Sequence, residues 1–284
     1  MDKIRLFAFA DEAGGSIGHQ IEAMQRNGLD GLEIRNVDGV NASDMTAAHA
    51  REVRKKLDDA GLITWSIGSP IGKIGAEEAF EPHLNKFRHT LEIAEILGAE
   101  NIRMFSFYIP EGKDPAAFRE TVFERLDALI GAASGSEITL CHENEKLIYG
   151  DMAGRCAEIH REFPSLKAVF DPANFIQCGQ ETWEAWTLLK PYVKYLHIKD
   201  ALPDGNVVPA GKGVGCVARI LDDYLADGGR SLTVEPHLKV FDGLASLERA
   251  GSESGIGGYC YESNDAAFDA ACGALKAILE EKEK

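Results

Sequence analysis

Leu196-His197-Ile198-Lys199-Asp200 is the stretch whose reading decides the fold. With Val193-Lys194-Tyr195 ahead of it, it forms a β-prone run that turns polar at its end. Three other stretches repeat the pattern: Cys141-His142-Glu143-Asn144, Phe170-Asp171-Pro172-Ala173-Asn174 and Val234-Glu235-Pro236-His237. Each closes on a carboxylate or imidazole of the kind that holds a divalent cation.

Outward from these stretches the chain alternates strand and helix. Strands are predicted over Ile4–Ala10, Gly31–Arg35, Leu62–Ile67, Asn101–Phe107, Glu137–His142, Lys167–Phe170, Val193–Ile198 and Leu232–Val234. Helices are predicted over Ser16–Asn27, Ala42–Ala60 with Ser43 as cap, Ala76–Leu97 with a break before Pro82, and Pro115–Ser134. Four more follow over Asp151–Phe163, Thr182–Leu189, Val217–Asp227 and Ala266–Glu280. Eight such units make an α/β chain whose best arrangement is a single (β/α)8 barrel, a doubly wound sheet being the rival. No glycine fingerprint of the dinucleotide type follows the first strand, and no linker divides the chain, so residues 1–284 are expected to be one domain. Gly14-Gly15-Ser16 reads as a turn and helix cap, and Gly251–Gly258 as a long loop.

Composition limits the function. Hydrophobic residues make up 45% and charged residues 27%, as in ordinary globular chains. Net charge is -16 and no run of Lys and Arg suggests a basic patch, which argues against a nucleic-acid partner. No segment approaches the roughly 20 apolar residues that span a bilayer, so no membrane partner is expected. The six cysteines contain no Cys-x-x-Cys pair, which fits reduced thiols and a cytoplasmic location.

Side chains alternate along a strand, so Glu143 shares its face with Cys141, Asp171 with Val169, His197 with Tyr195, and Glu235 with Thr233. On neighbouring strands these four polar groups become the top layer of the barrel, and ligand atoms more than about 8 Å apart would refute the site. Three carboxylates and one imidazole suit Mn2+, Mg2+, Co2+ or Zn2+. Such a cation polarises a carbonyl and acidifies the neighbouring C–H, and flanking carboxylates then remove and return the proton. Glu143 and Glu235 are the candidate acid/base pair, and Asp171 and His197 are mainly ligands. Lys199 and His237, each one pleat beyond a ligand, are candidate substrate contacts. Lys199 has a salt bridge to Asp200 or Glu235 as its alternative. Glu33 is an alternative substrate contact or a salt-bridge partner of Arg35 or Arg103. Glu145 and Lys146 read as a solvated pair, Trp65 as core, and His142 as a structural residue of the helix layer. The Gly211–Gly215 stretch reads as a turn, with closure over the site as the rival.

At these residues the sequence resembles the xylose isomerase-like TIM barrels, and within them the sugar phosphate isomerase/epimerase group that includes ketose 3-epimerases and inosose dehydratases. The quartet Glu143, Asp171, His197 and Glu235 carries the resemblance, with His-Ile-Lys-Asp at 197–200 and Glu-Pro-His at 235–237. It implies a metal held by these four residues, glutamates that double as acid and base, a small sugar or cyclitol substrate, and association into homo-oligomers. Asn174 stands where several ketose epimerases carry a His. It can hydrogen-bond a substrate oxygen but cannot act as an imidazole acid. Related endonucleases hold several metals with extra His ligands on early strands, and Glu33-Ile34-Arg35 and Gly68-Ser69-Pro70 offer none. The expected reaction is isomerisation or epimerisation of a sugar or keto-sugar derivative. The alternative is a lyase or dehydratase acting on a keto-cyclitol or modified sugar at the same site.

Overall fold

The computed structural model describes residues 3–244, 255–256 and 259–282. Eight parallel strands close into a barrel: β1 (Arg5–Ala8), β2 (Gly31–Ile34), β3 (Ile63–Gly68), β4 (Asn101–Met104), β5 (Thr139–Glu143), β6 (Lys167–Phe170), β7 (Val193–Ile198) and β8 (Ser231–Val234). β8 pairs with β1, with Phe7 opposite Thr233, and this pairing closes the sheet. The doubly wound alternative is thereby excluded. Among the described residues no helix is long and apolar enough to cross a membrane.

Among the described residues the α-helices are α1 (Ile17–Arg26), α2 (Ala47–Ala60), α3 (Glu81–Leu97), α4 (Arg119–Ala132), α5 (Ala153–Glu162), α6 (Pro172–Gln177), α7 (Thr182–Leu189), α8 (Val217–Ala226) and α9 (Asn264–Lys282). Each long helix turns an apolar stripe to the sheet. On α8 that stripe is Val217, Ile220, Leu221 and Tyr224, the i, i+3, i+4, i+7 spacing of one helical face. Gly61 and Gly98 end α2 and α3 in the left-handed region (φ 71° and 69°), where a Cβ is strained.

Three helix predictions need correction, and the one over residues 76–97 begins only at Glu81, at the expected break before Pro82. The helix expected over residues 42–60 is split, because Met45 is extended at φ -64°, ψ 146°. Asn41 caps a short 3-10 turn before the break, and Thr46, not Ser43, caps α2 through its hydroxyl. Pro115–Phe118 is likewise a 3-10 turn rather than part of α4. α6 is absent from the sequence reading, although Asp171 followed by Pro172 is a helix-start signal. Apart from Gly255 and Ile256, the Gly251–Gly258 stretch lies outside the described residues.

The barrel interior is layered. Phe7, Trp65, Cys141, Val169 and Tyr195 form a buried cluster separate from the apolar shell between strands and helices. Phe7 stacks on Trp65 at 4.8 Å, and Trp65 meets Tyr195 edge-on at 5.5 Å. Two bulges adjust this layer. The β2–β3 register steps from Leu32/Thr64 to Glu33/Ser66, leaving Trp65 as the extra residue. The β6–β7 register steps from Ala168/Val193 to Val169/Tyr195, leaving Lys194 extra. One pleat above the apolar cluster, at the C-terminal ends of the strands, lie the polar residues.

Candidate metal and proton-transfer site

Glu143 ends β5, Asp171 follows β6, His197 is the penultimate residue of β7, and Glu235 follows β8. Parallel pairing puts all four strand ends on one rim. Each residue offers one ligand atom, and those atoms lie within 4.8 Å of one another. All four side chains are buried. His197 Nδ1 is 3.0 Å from Glu143 Oε1 and 3.3 Å from Glu235 Oε2.

Local structure fixes how each group is presented. Asp171 Oδ1 accepts the Asn174 amide at 3.0 Å and caps α6. That leaves Oδ2 buried and facing the cluster, with the Lys199 ammonium as its neighbour. The Asp171 backbone is held from both sides by Asn144, which donates to its carbonyl at 2.9 Å and accepts from its amide at 3.0 Å. His197 Nε2 sits 3.1 Å from Glu33 Oε2, and the Tyr195 hydroxyl donates to Glu33 Oε1 at 2.9 Å. Glu33 thereby orients the ring so that Nδ1 points at the carboxylates, the arrangement that commonly supports a ligating histidine.

The predicted substrate contacts all border this cluster. Asn174 Nδ2 donates to Glu143 Oε1 at 3.3 Å and to the Asn144 carbonyl at 2.9 Å. Lys199 Nζ lies 2.8 Å from Asp171 Oδ2 and 3.1 Å from Glu235 Oε2. Of the two salt bridges expected for Lys199, the one to Glu235 forms. Asp200 is occupied otherwise: its carboxylate accepts the amides of Ala201, Gly211, Gly213 and Gly215 at 2.9–3.0 Å. The Gly211–Gly215 stretch is therefore a loop wound on Asp200, and a Cβ at Gly213 would meet the Ala201 carbonyl oxygen at 2.2 Å. His237 Nδ1 lies 3.1 Å from Glu12 Oε1 and 3.5 Å from Glu235 Oε1, and its amide donates to Glu12 Oε2 at 2.7 Å.

Other residues enter from distant parts of the chain. Arg103 Nε is 3.2 Å from Glu143 Oε2 and 3.8 Å from Glu33 Oε1. Arg35 makes a two-pronged pair with Asp11 at 2.9 and 3.0 Å and reaches Glu12 at 3.1 Å. Glu145 is not a solvated partner of Lys146. It is half-buried and pairs with Lys73 at 3.1 Å. Burial opposes ionisation of Glu145, but Lys73 and Lys146 outweigh it and pull its pKa down to about 2. Trp65 belongs to the apolar layer, and His142 bonds Ser106 in the helix-side layer at 2.9 Å.

Charge states follow from this company. Burial works against the imidazolium of His197, yet Glu143 and Glu33 raise its pKa well above the ordinary range. Burial also works against the Glu235 carboxylate, and Lys199, His237 and His197 more than offset it, holding that group well below its usual value. Asp171 goes the other way. Burial, joined by the repulsion of Glu235 and Glu143, exceeds the pull of Lys199 and His197 and raises it to about 7. The two carboxyl groups beside Lys199 therefore differ in proton affinity, the condition for holding and releasing a proton within one site.

Among known proteins, the family model for the xylose isomerase-like TIM barrel matches residues 21–248. Solved structures of the same shape share little sequence. A D-tagatose 3-epimerase-like protein superposes with a TM-score of 0.73 at 15% identity, covering 99% of this chain and 100% of its own. The IolI protein, solved with a bound zinc atom, gives 0.72 at 14% identity over 98% of this chain and 99% of its own. A probable 3-DHS dehydratase from Bacillus anthracis, AsbF, involved in petrobactin synthesis, gives 0.71 at 16% identity over 97% and 99%. No curated protein matches the sequence.

Proposed function

This chain belongs to the xylose isomerase-like TIM barrels, and on that premise we propose that it is a divalent-metal-dependent isomerase or epimerase of a sugar or keto-sugar derivative. The observation that carries the reading is the convergence of Glu143, Asp171, His197 and Glu235, whose ligand atoms lie within 4.8 Å of one another. The donor set fits a cation. Asp171 Oδ2 is a buried carboxylate oxygen facing a cation, the Lys199 ammonium, and His197 presents Nδ1 because Glu33 holds Nε2. These four residues would hold Mn2+, Mg2+, Co2+ or Zn2+. Bound there, the ion supplies Lewis-acid polarisation of a substrate carbonyl.

The remaining work belongs to the chain. Glu143 and Glu235 come from β5 and β8 and approach His197 Nδ1 from two sides. One takes the proton from the carbon beside the carbonyl, and its counterpart returns one to the same or the neighbouring carbon. Lys199, kept charged by Asp171 and Glu235 against the cost of burial, donates a hydrogen bond to the enediolate oxygen. Asn174 and His237 orient substrate hydroxyls. The likeness to a D-tagatose 3-epimerase-like protein supports this class of substrate.

Lys199 favours a second reading. An ammonium among these carboxylates is also placed to protonate a departing β-oxygen, which would make the enzyme a lyase or dehydratase of a keto-cyclitol or modified sugar. A probable dehydratase with the same fold is in keeping with it. Keto-sugars and keto-cyclitols incubated with the protein and Mn2+ in D2O, followed by NMR, separate the two. Epimerisation places deuterium on one carbon without loss of water, whereas dehydration gives an unsaturated carbonyl. Glu143→Gln and Glu235→Gln should each cut turnover by about 100-fold or more. Exchange unaffected by both substitutions would remove the proposed proton carriers.

A further inference from the structure

The opposite end of the barrel carries a cavity of about 340 Å³ between β1, β7, β8 and the ends of α7 and α8. Arg5, Lys190, Lys194 and Arg230 line it, against one lining carboxylate, Asp227. This is an unusual density of cations in a chain of net charge -16. Its inner wall includes Trp65, which is 1% exposed and whose indole Nε1 is buried without a hydrogen-bond partner. A buried indole N–H ordinarily finds an acceptor. Arg103, Glu143 and the other site residues described above are absent from the lining.

The donors are fixed in place. The Arg5 guanidinium lies 4.4 Å from the Trp65 ring centre and is tethered to Glu100 at 2.8 Å and to the Ser231 hydroxyl at 3.3 Å. Arg230 donates through Nη1 to the Leu225 and Gly229 carbonyls at 2.8 and 2.5 Å. Lys190 pairs with Asp223 at 2.9 Å and Asp227 at 3.2 Å. Lys194 is the bulge residue of β7 and is exposed; its carbonyl accepts from the Tyr224 hydroxyl at 3.1 Å, while its ammonium has no hydrogen bond or ion pair among the described residues.

We propose that this cavity binds a small phosphate monoester, with the phosphate among Arg230, Lys194 and Arg5 and the Trp65 ring beneath Arg5 as the wall that senses it. Guanidinium and ammonium groups only donate hydrogen bonds, so they match a ligand rich in acceptors better than a neutral polyol. At roughly 30 Å³ per water, the volume exceeds that of a lone phosphate and leaves room for a short carbon chain.

The test uses the full chain with 15N-labelled tryptophan, titrated with glycerol 3-phosphate at constant ionic strength. There are three tryptophans, so three indole signals are expected. Trp65→Phe assigns one, and Trp183, outside the cavity, is the internal control. The expected result is a saturable shift confined to the cavity tryptophans and weakened about tenfold by Lys194→Ala, the loss of one charge-assisted contact. A shift that fails to saturate, that glycerol or sodium chloride reproduces, or that survives Lys194→Ala unchanged would overturn the proposal.

Discussion

Two layers of the barrel interior lie one pleat apart. Phe7, Trp65, Cys141, Val169 and Tyr195 make the lower one, and Glu33, Glu143, Asp171, His197 and Glu235 belong to the upper. Both are buried, so exposure does not separate them. The lower layer gains from its burial, whereas every ionised group above must be offset by a partner. Its Arg103 and Lys199 do that for Glu143, Asp171 and Glu235. The difference teaches that the same strands do two jobs, with the division falling between Cys141 and Glu143 on β5 and between Tyr195 and His197 on β7.

The largest stability effect should come from the lower layer. Phe7→Ala removes a fully buried ring stacked on Trp65 and should cost about 3–5 kcal/mol, read from urea unfolding at constant m. The same experiment on Glu143→Gln should give a much smaller loss. Equal losses from the two variants would erase the distinction between the layers.

A second contrast sets one buried histidine against another. His197 is kept charged by Glu143 and Glu33, whereas burial pushes His160 down to about 4, with its ring Nδ1 donating to the Leu166 carbonyl at 3.0 Å. A base whose folded pKa is depressed contributes stability above its unfolded value near 6.5, and this is lost as pH falls toward 4. The full span is roughly 3 kcal/mol. Urea midpoints measured between pH 7 and pH 4.5 should therefore fall less steeply in His160→Gln than in the parent. Parallel curves would mean that His160 does not set the acid limb.

The upper layer was legible in sequence where one strand supplied the information. Alternation alone puts Glu143 over Cys141 and His197 over Tyr195, and the pairing of β8 with β7 sets Glu235 beside His197. What was not legible depended on contacts across the barrel or between loops. The pairing of Glu33 with His197 needs the two strands to face each other across the closed barrel. Glu145 looked solvated beside Lys146 because its partner Lys73 lies 72 residues away. The Met45 break was a local signal that a longer helical pattern hid, and the α6 start at Asp171-Pro172 was masked because Asp171 reads as a strand end. Buried Arg35 and Arg103 gather without any run of basic sequence, so charge runs were a poor guide to charge at the site.

Glu33→Gln sharpens the comparison further, because Glu33 supports a ligand without being one. A weaker acceptor on His197 Nε2 should lower Mn2+ affinity about 10- to 100-fold, measured by the EPR signal of free Mn2+. An unchanged affinity would show that Tyr195 and packing alone orient the ring.

Lys199→Met gives the smallest expected effect and the clearest sign. Nζ sits within 3.1 Å of Asp171 and Glu235, where a cation would compete with it for the same oxygens. Removing the ammonium should therefore tighten Mn2+ binding, by about tenfold if the competition is worth the usual 1.4 kcal/mol per decade. Deuterium exchange into substrate should slow at the same time, since the donor to the enediolate is gone. Weaker Mn2+ binding would mean that Lys199 holds the carboxylates in position for the ion rather than standing in its place. The upper layer would then owe its order to the lysine, much as the lower layer owes its order to packing.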